Sequence, residues 1–313
     1  MLWLAACNVV PIAQAPPTVV LEIPPASGDA PMVAPATRKP APTPTVVPTV
    51  TGTATLAPTP SSPPPTPPPC RETAGRLIEV VVPGSVADSP MRTRVYLPPC
   101  YEARPDLAYP VLYLLHGRGH TQATWDEIGA DEAADSLISA DEAPPFIIVM
   151  PREVGGERFG EAVVADLLPA VAANFRTIAR RSFRALGGMS RGGGWALRIG
   201  LQHPQLFSAL GLHSLAIFYE DEASVNGWID AAPGELLPRL YIDIGALDGL
   251  IVSAEFLHEN LTIRDIPHKY IVQPGGHSTG YWGEHVEEYL RWYAEGWAGA
   301  PLRITDVAVS TQE

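Results

Sequence analysis

Hydrophobic residues along the chain follow two alternating patterns, short apolar runs and longer amphipathic segments. Apolar runs of strand length predict strands buried on both faces, whereas apolar residues spaced three or four apart predict helices. The predicted strands cover residues 77–85, 91–100, 109–117, 145–151, 182–188, 206–214, 238–246 and 268–276. The predicted helices cover 131–140, 160–175, 193–202, 253–263 and 283–297. Pro169 lies within the second of them and is unfavourable in the interior of a helix.

This order of elements predicts an α/β fold whose central sheet is mostly parallel and has helices on both faces. The first two strands, 77–85 and 91–100, are joined by a short loop and should form an N-terminal antiparallel hairpin. Parallel sheets of this kind bind ligands at the carboxyl ends of their strands. Residues of a candidate site should therefore fall directly after strands.

The segment 8–69 differs in composition from the rest of the chain. Of the 35 prolines, 19 precede Cys70, and threonine, alanine and valine fill most of the positions between them. Neither a helical nor a strand period is present, so the segment is predicted to be a disordered, proline-rich stalk. The chain then divides into a residual signal or lipobox (1–7), the stalk (8–69), a folded domain (70–300) and a C-terminal tail (301–313).

The first residues carry a candidate lipidation site. Leu4-Ala5-Ala6-Cys7 resembles the lipobox of bacterial lipoproteins, in which the cysteine is lipidated after cleavage, and it predicts an exported cell-surface or extracellular protein. Only six residues precede Cys7 and none is basic, whereas a signal peptide has a basic end and a longer apolar core. Two alternatives stay open: the true start lies upstream, or the match is due to chance.

The formal net charge of −13 lies entirely on residues 71–313, because the four charges before Cys70 cancel. An acidic domain without a basic stripe argues against nucleic acid as a partner. No later stretch reaches the roughly 18 apolar residues of a membrane span. A lipid on Cys7 is therefore the only membrane attachment expected.

Cys70 and Cys100 flank the predicted hairpin. Facing residues of an antiparallel pair have a constant index sum, so a loop centred near residue 85 would place Cys70 opposite Cys100. A disulfide across the base of the hairpin is predicted, in keeping with an exported protein. Two unrelated free thiols remain the alternative.

The strand 182–188 leads into Gly188-Met189-Ser190-Arg191-Gly192, which matches G-x-S-x-G and precedes a predicted helix. That context predicts a nucleophile elbow, in which Gly188 and Gly192 leave room for a strained turn that exposes the Ser190 hydroxyl. The segment lacks the lysine of a phosphate-binding loop and the glycine spacing of a dinucleotide fingerprint. A purely structural turn is the remaining alternative.

A serine nucleophile needs a base and a third group that orients the base. His277 directly follows the last predicted strand, in a glycine-rich polar loop. Asp248 lies in a loop just beyond strand 238–246, whereas Asp243 lies within that strand. The order Ser190, Asp248, His277 is the one expected for an α/β-hydrolase, and all three residues follow strands.

The remaining site candidates lie in or near the loops that follow strands. The backbone N–H groups of Arg118 and Arg191 are expected to form an oxyanion hole. Trp125, Trp228 and Trp282 are candidates for lining a substrate pocket, although Trp282 would equally well pack the closing helix. His116 and His120 lack both a helix to align them and a nearby third ligand, so no metal is predicted, and no organic cofactor is expected.

The motifs together resemble the putative esterase family of α/β-hydrolases, which includes feruloyl and acetylxylan esterases, S-formylglutathione hydrolase, enterochelin esterase and the antigen 85 mycolyltransferases. The resemblance spans 77–295 and rests on the stretches "RVYLPPCY", "YPVLYLLHG", "RALGGMSRGG", "HPQLFSALGLHS", "IDIGALDGL" and "GGHSTGYW". Several family members have Met or Leu where Arg191 stands. The resemblance implies an α/β-hydrolase fold, the Ser190–His277–Asp248 triad and an oxyanion hole formed by the Arg118 and Arg191 amides.

The function expected from these residues is that of a serine carboxylic-ester hydrolase that forms an acyl-serine intermediate. Surface display suggests feruloyl or acetyl esters of extracellular polysaccharide, or a small-molecule ester, as substrate. An acyltransferase that uses the same triad is an alternative, since it forms the same intermediate. A non-catalytic polysaccharide-binding module is a weaker alternative, because no member of the triad is missing.

Overall fold

A sheet of nine strands forms the centre of the computed structural model, which describes residues 18–23 and 70–304. The strands are β1 (Thr18–Val20), β2 (Arg76–Val82), β3 (Met91–Leu97), β4 (Val111–Leu115), β5 (Ile147–Pro151), β6 (Arg184–Met189), β7 (Ala209–His213), β8 (Arg239–Gly245) and β9 (Lys269–Gln273). Their order across the sheet is β1-β2-β3-β5-β4-β6-β7-β8-β9. Strand β3 is antiparallel to both β2 and β5, and every other neighbouring pair is parallel, which confirms the predicted mostly parallel sheet.

Helices connect most of the parallel strands. They are α1 (Thr124–Glu127), α2 (Ala130–Ser139), α3 (Phe159–Ala162), α4 (Leu168–Asn174), α5 (Arg191–Gln202), α6 (Glu222–Ala231), α7 (Ile251–Ile263) and α8 (Thr279–Glu295). No helix among the described residues is both long enough and apolar enough to cross a membrane.

The core lies on both faces of the sheet, as alternation along a strand requires. In β4, Val111, Tyr113 and Leu115 point into one hydrophobic cluster, which α5 and α7 cover. Leu112 and Leu114 point into a second cluster, which α2 and α8 cover. The predicted arrangement of helices on both faces is therefore confirmed.

Pro169 explains why the helix predicted over 160–175 is not continuous. Its ring removes one backbone donor and would clash with the preceding turn of a regular helix. A wider π-helical turn at Val163–Leu167 accommodates it, and Pro169 then occupies the start of α4, where a missing N–H costs least.

Helix α6 is absent from the predicted elements. Its buried side chains are Val225 and Ile229, with Trp228 half-buried beside them. A single pair of buried positions spaced by four residues gives too short a periodic pattern to identify a helix from the sequence.

One part of the predicted stalk belongs to the sheet, which corrects the boundary 8–69. The β-branched residues Thr18, Val19 and Val20 form β1, which pairs in parallel with β2 at the sheet edge. Leu21 is buried beside it, and its N–H donates to Val81 O at 2.9 Å. The free backbone groups of an edge strand explain why this segment pairs there. The rest of the predicted stalk and the predicted lipobox with Cys7 lie outside the described residues.

The domain also extends beyond residue 300, into the predicted C-terminal tail (301–313). Arg303 forms a bridge with Leu107, the Ala108 N–H donates to Leu302 O, and the Ile304 N–H donates to Asp106 O. Residues 301–304 therefore belong to the fold, and the remainder of the tail is outside the described range.

A disulfide joins Cys70 to Cys100, with their Cα atoms 5.8 Å apart. The hairpin register differs from the one that suggested this pairing, because Leu97 pairs with Arg76 at the last rung of the β2–β3 ladder. Residues 70–75 lie outside the ladder. They are therefore free to bring Cys70 to Cys100 without matching the register of the strands.

Candidate active site

Ser190 lies between β6 and α5 in a strained backbone conformation. Its φ is +55° and its ψ is −121°, a region that residues with a side chain rarely adopt. Three main-chain hydrogen bonds hold the turn: the Ser190 N–H donates to His213 O, and the Gly194 and Ala216 N–H groups donate to Ser190 O. The turn therefore presents the Ser190 side chain at the carboxyl end of the sheet.

Gly188 and Gly192 let this turn pack tightly, as the elbow motif requires. A Cβ on Gly188 would lie 2.4 Å from the carbonyl group of Gly192, and a Cβ on Gly192 would lie 2.2 Å from Leu115 O. Both distances are far below van der Waals contact. The backbone of the elbow therefore touches the end of β4, which leads into the loop that carries Arg118.

A chain of hydrogen bonds connects the three residues predicted as a triad. His277 Nε2 lies 2.9 Å from Ser190 Oγ, and His277 Nδ1 lies 2.9 Å from Asp248 Oδ2. Asp248 is buried, whereas about a third of the His277 side chain is exposed. In this arrangement the Nδ1–H of His277 donates to Asp248, which leaves Nε2 as the acceptor facing Ser190.

The loops that carry Asp248 and His277 are bonded to each other. The Ala246 N–H donates to Gln273 O, and the Leu247 N–H donates to Gly275 O. The Asp248 carboxylate also accepts the Leu250 N–H at 2.8 Å. These bonds fix the separation between the ends of β8 and β9, and hence the separation between the carboxylate and the imidazole.

Asp243, the carboxylate within β8, belongs to a separate buried network. Its side chain bonds His213 Nδ1 at 2.5 Å and accepts the hydroxyls of Tyr281 and Tyr289 at 3.0 and 2.6 Å. Tyr293 contacts the other ring nitrogen of His213 at 3.1 Å. The ring of His213 is buried and does not line the cavity beside Ser190.

Arg118 lies in a tight turn directly after β4. The His120 N–H donates to Gly117 O at 3.1 Å and closes the turn, and Gly119 takes φ of +80°, as the third position of a type II turn requires. Arg118 itself is exposed and lines the cavity beside Ser190. Its backbone N–H belongs to the second position of the turn, which does not take part in the closing bond.

Arg191 is the first residue of α5, so its N–H has no acceptor within the helix. The side chain does not line the cavity beside Ser190 and binds Glu153, with Nε 2.9 and 3.0 Å from the two carboxylate oxygens. These hydrogen bonds raise the pKa of the Arg191 guanidinium further. The positive end of the α5 dipole lies at this N–H.

A cavity of about 250 Å³ opens beside the Ser190 hydroxyl. Its lining residues are Gly117, Arg118, His120, Ser190, His277, Ser278, Thr279 and Trp282. Sequence reasoning did not identify His120, Ser278 or Thr279 as lining residues. Ser278 and Thr279 could have been found, because they directly follow His277.

Of the three tryptophans expected at the pocket, only Trp282 lines the cavity. Its ring packs edge-on against His277, with centroids 5.0 Å apart, and its N–H donates to Ser214 Oγ. The expectation for Trp125 is wrong, because its ring is buried in the core and its N–H donates to Leu115 O. The expectation for Trp228 is also wrong, since it packs against the core from α6.

His116 uses both ring nitrogens within the protein. Nε2 accepts the Glu153 N–H at 3.0 Å, so the proton resides on Nδ1, which lies 2.8 Å from Gly117 O. Burial lowers the pKa of His116 and favours this neutral form. The neighbouring His120 differs, because its Nδ1 is buried without a partner in the described part of the chain.

The model of the putative esterase family matches residues 84–293, which include every residue of the arrangement above. The chain belongs to the putative esterase family. Its α/β domain is accordingly a carboxylic ester hydrolase, and the family resemblance drawn from the sequence motifs is confirmed.

Curated relatives of this esterase domain are longer proteins. The chain is 34% identical over 127 residues to an endo-1,4-beta-xylanase/feruloyl esterase of Xylanibacter ruminicola, a match that covers 36% of this chain and 18% of that protein. It is 35% identical over 121 residues to Esterase Rv1288 of Mycobacterium tuberculosis, covering 34% of this chain and 25% of that protein. The chain thus matches at most a quarter of the length of these relatives.

Solved structures resemble the esterase domain over nearly their whole length. A ferulic acid esterase superposes with a TM-score of 0.66 at 25% identity, covering 71% of this chain and 99% of that one. S-formylglutathione hydrolase (FrmB) from Staphylococcus aureus superposes with a TM-score of 0.62 at 18% identity, covering 72% and 98%. The second likeness concerns the fold alone, and both confirm an α/β-hydrolase fold.

Proposed function

We propose that this domain hydrolyses carboxylic esters through an acyl-serine intermediate, with Ser190 as nucleophile, His277 as general base and Asp248 as the residue that orients His277. The observation that carries the proposal is the continuous chain of hydrogen bonds from Ser190 Oγ through His277 to Asp248. A strained elbow at Ser190 and a cavity at its hydroxyl support the same roles.

In the first half of the reaction, His277 Nε2 takes the Ser190 proton while Oγ forms a bond to the ester carbonyl carbon. The carbonyl oxygen becomes an oxyanion, which the Arg118 and Arg191 N–H groups bind. Each such donor typically lowers the barrier by about 3 kcal/mol. The bond to the alkoxy oxygen then breaks, and His277 gives that oxygen its proton, so the alcohol leaves.

In the second half, a water molecule attacks the acyl-serine and its proton passes to His277. The tetrahedral intermediate collapses, the carboxylic acid leaves, and Ser190 Oγ regains a proton from His277. Asp248 stays ionised and stabilises the imidazolium in both halves. The residues named here need no metal or organic cofactor for any of these steps.

We also propose that the substrate is a feruloyl or acetyl ester of extracellular polysaccharide. The cavity of about 250 Å³ is smaller than the roughly 300–1,000 Å³ of most ligand pockets, so it suits an acyl group with the alcohol part left outside. Two relatives are named as feruloyl or ferulic acid esterases. The Cys70–Cys100 disulfide and the lipobox-like sequence before Cys7 support export.

Replacement of the nucleophile tests the mechanism. Ser190→Ala should lower kcat for p-nitrophenyl acetate by roughly a million-fold, because the triad acts as a unit. A fluorophosphonate probe should add its phosphonyl group to the wild-type protein and leave the variant unlabelled in intact-mass spectra. Ser253→Ala, in α7, serves as the matched control, and near-normal turnover by Ser190→Ala would refute the assignment.

Comparison of acyl and alcohol groups tests the substrate. Methyl ferulate, acetylated xylan and short p-nitrophenyl esters should be ranked by kcat/KM, with release of free acid as the readout. Transfer of the acyl group to an added sugar in preference to water would instead identify an acyltransferase.

Metabolic labelling with a radioactive fatty acid, with Cys7→Ala as the control, tests lipidation of the exported protein.

A further inference from the structure

Glu153, two residues beyond β5, contacts both segments that carry the expected oxyanion donors. Its backbone N–H donates to His116 Nε2 at 3.0 Å, and its carboxylate binds the Arg191 guanidinium through Nε and Nη2. Glu153 is absent from the sequence motifs and does not line the cavity. Building on the proposed function, we infer that Glu153 is a positioning residue. It holds the two halves of the oxyanion hole, the Arg118 and Arg191 N–H groups, in a fixed position relative to each other.

Glu153 acts through His116 on the peptide group between Gly117 and Arg118. A peptide group is planar, so the direction of the Gly117 carbonyl also fixes the direction of the Arg118 N–H. Gly117 O lies 2.8 Å from His116 Nδ1 and accepts the His120 N–H at 3.1 Å. The bond from the Glu153 N–H to Nε2 keeps the proton of His116 on Nδ1, where it can bind Gly117 O.

Glu153 also acts on the start of α5, through the side chain of Arg191. The guanidinium of Arg191 meets the Glu153 carboxylate in a forked arrangement, a geometry that restricts the arginine side chain more than a single contact would. The rings of Phe218 and Trp195 lie 5.1 and 5.7 Å from that guanidinium. The side chain is thus fixed on two sides, and it belongs to the residue that supplies the second N–H.

The Glu153–Arg191 ion pair is also partly shielded from solvent. The exposed fractions of the Arg191 and Glu153 side chains are 29% and 17%, so solvent screens this pair less than a fully exposed one. Glu153 and Arg191 meet in one ion pair, so loss of either side chain removes the same contact. The two residues are therefore expected to act as a unit.

The inference is tested with Glu153→Gln, Arg191→Met and the double variant. Each single variant should lower kcat 10- to 100-fold and change KM by less than twofold, because the oxyanion forms only in the transition state. Affinity for a boronic acid, which forms a tetrahedral anion on Ser190, should fall in parallel, while affinity for the product carboxylate should not. The double variant should be no worse than the single ones.

The matched control is Glu79→Gln, which breaks a comparably shielded pair with Arg94 and should leave kcat unchanged. Additive effects of the two single variants, or an unchanged kcat in both of them, would overturn the role of Glu153. A loss of boronic acid affinity matched by an equal loss of product affinity would also overturn it. Ser190→Ala is measured alongside: if that variant stays active, the proposed function fails, whereas an inactive Ser190→Ala beside fully active Glu153 and Arg191 variants refutes the role of Glu153 and leaves the proposed function standing.

Discussion

At the scale of single residues, the site depends on glycines, whose lack of a side chain lets main-chain segments approach closely. Ser190 holds a strained φ, and Gly188 and Gly192 on either side of it approach other main-chain atoms too closely for a residue with a Cβ. The G-x-S-x-G spacing by itself indicates a turn of this kind. The contact partner of Gly192, the carbonyl of Leu115, could not be inferred from the motif.

Gly192→Ala should disrupt the geometry between the elbow and the oxyanion loop. Its Cβ would lie 2.2 Å from Leu115 O and 2.7 Å from His116 O, both main-chain atoms that cannot rotate away. A displacement of about 1 Å can cost on the order of 100-fold in rate, so kcat should fall at least that far. Gly227→Ala in α6, where a Cβ meets nothing, should instead raise stability by up to about 1 kcal/mol and leave kcat unchanged.

Asp131 should give the fold a pH dependence. Burial, a hydrogen bond with Glu132 and the charge of Asp126 raise the pKa of Asp131 to about 8, from a usual value of 3.8. Between these values the folded chain holds a proton that the unfolded chain has released, so stability should fall as the pH rises from 4 to 8.

The measurement is Tm as a function of pH for the wild type and for Asp131→Asn. The variant keeps the shape of the side chain without its charge, so its Tm should fall less between pH 5 and pH 8. Asp88→Asn, at an exposed loop position, should follow the wild-type curve. A variant curve parallel to that of the wild type would contradict the role given to Asp131.

At the scale of elements, a buried polar network ties α8 to the ends of β7 and β8. Asp243 bonds His213 and two tyrosines of α8, and the backbone carbonyl of His213 accepts the Ser190 N–H. Burial and the nearby Asp243 charge raise the pKa of Tyr289, so its hydroxyl remains a donor. The network thus lies directly beneath the elbow.

Asp243→Leu should destabilise the fold by about 1–3 kcal/mol for each buried group left without a partner, because it removes the shared hydrogen-bond partner of His213, Tyr281 and Tyr289. Tyr289→Phe removes one hydrogen bond to a charged group and should cost about 1.5–3 kcal/mol. Urea denaturation followed by tryptophan fluorescence measures both values. Equal midpoints for wild type and Asp243→Leu would contradict the proposed stabilising role.

Most elements were predictable because their apolar pattern is long or because a glycine turn or a sequence motif marks their ends. Strand β4 is apolar over five residues and precedes a glycine turn, and α5 follows the elbow directly. The elements that could not be predicted have physical explanations. Helix α6 buries only two side chains, and the π turn before Pro169 depends on packing that no periodicity encodes.

At the scale of the whole molecule, two contacts hold the N-terminal part of the domain: the Cys70–Cys100 disulfide and the pairing of β1 with β2 at the sheet edge. Cys70 and Cys100 are 30 residues apart, and neither lines the cavity at Ser190. For a loop of this length, the chain-entropy account gives about 3–4 kcal/mol of stabilisation. The bond should therefore affect unfolding and leave catalysis unchanged.

Cys70→Ala/Cys100→Ala, made in a Cys7→Ala background so that no other thiol interferes, should lower the free energy of unfolding by about 3–4 kcal/mol. Its kcat and KM should match those of the Cys7→Ala parent. Reduction of the parent with a phosphine should reproduce the loss of stability, and the double variant should not respond to the reductant. Identical unfolding curves for parent and variant would show that the bond contributes nothing.

The sequence alone determined the fold class and the three residues of the candidate triad, because each of them follows an apolar strand and because chain order restricts which strand ends can meet. It also indicated both segments of the expected oxyanion hole. Only the tertiary structure decided which polar groups meet across the sheet: Glu153 with Arg191 and His116, and Asp243 with His213. The physical reason is that periodicity reports which face of an element is buried, whereas the partner of a buried polar group depends on how distant elements pack.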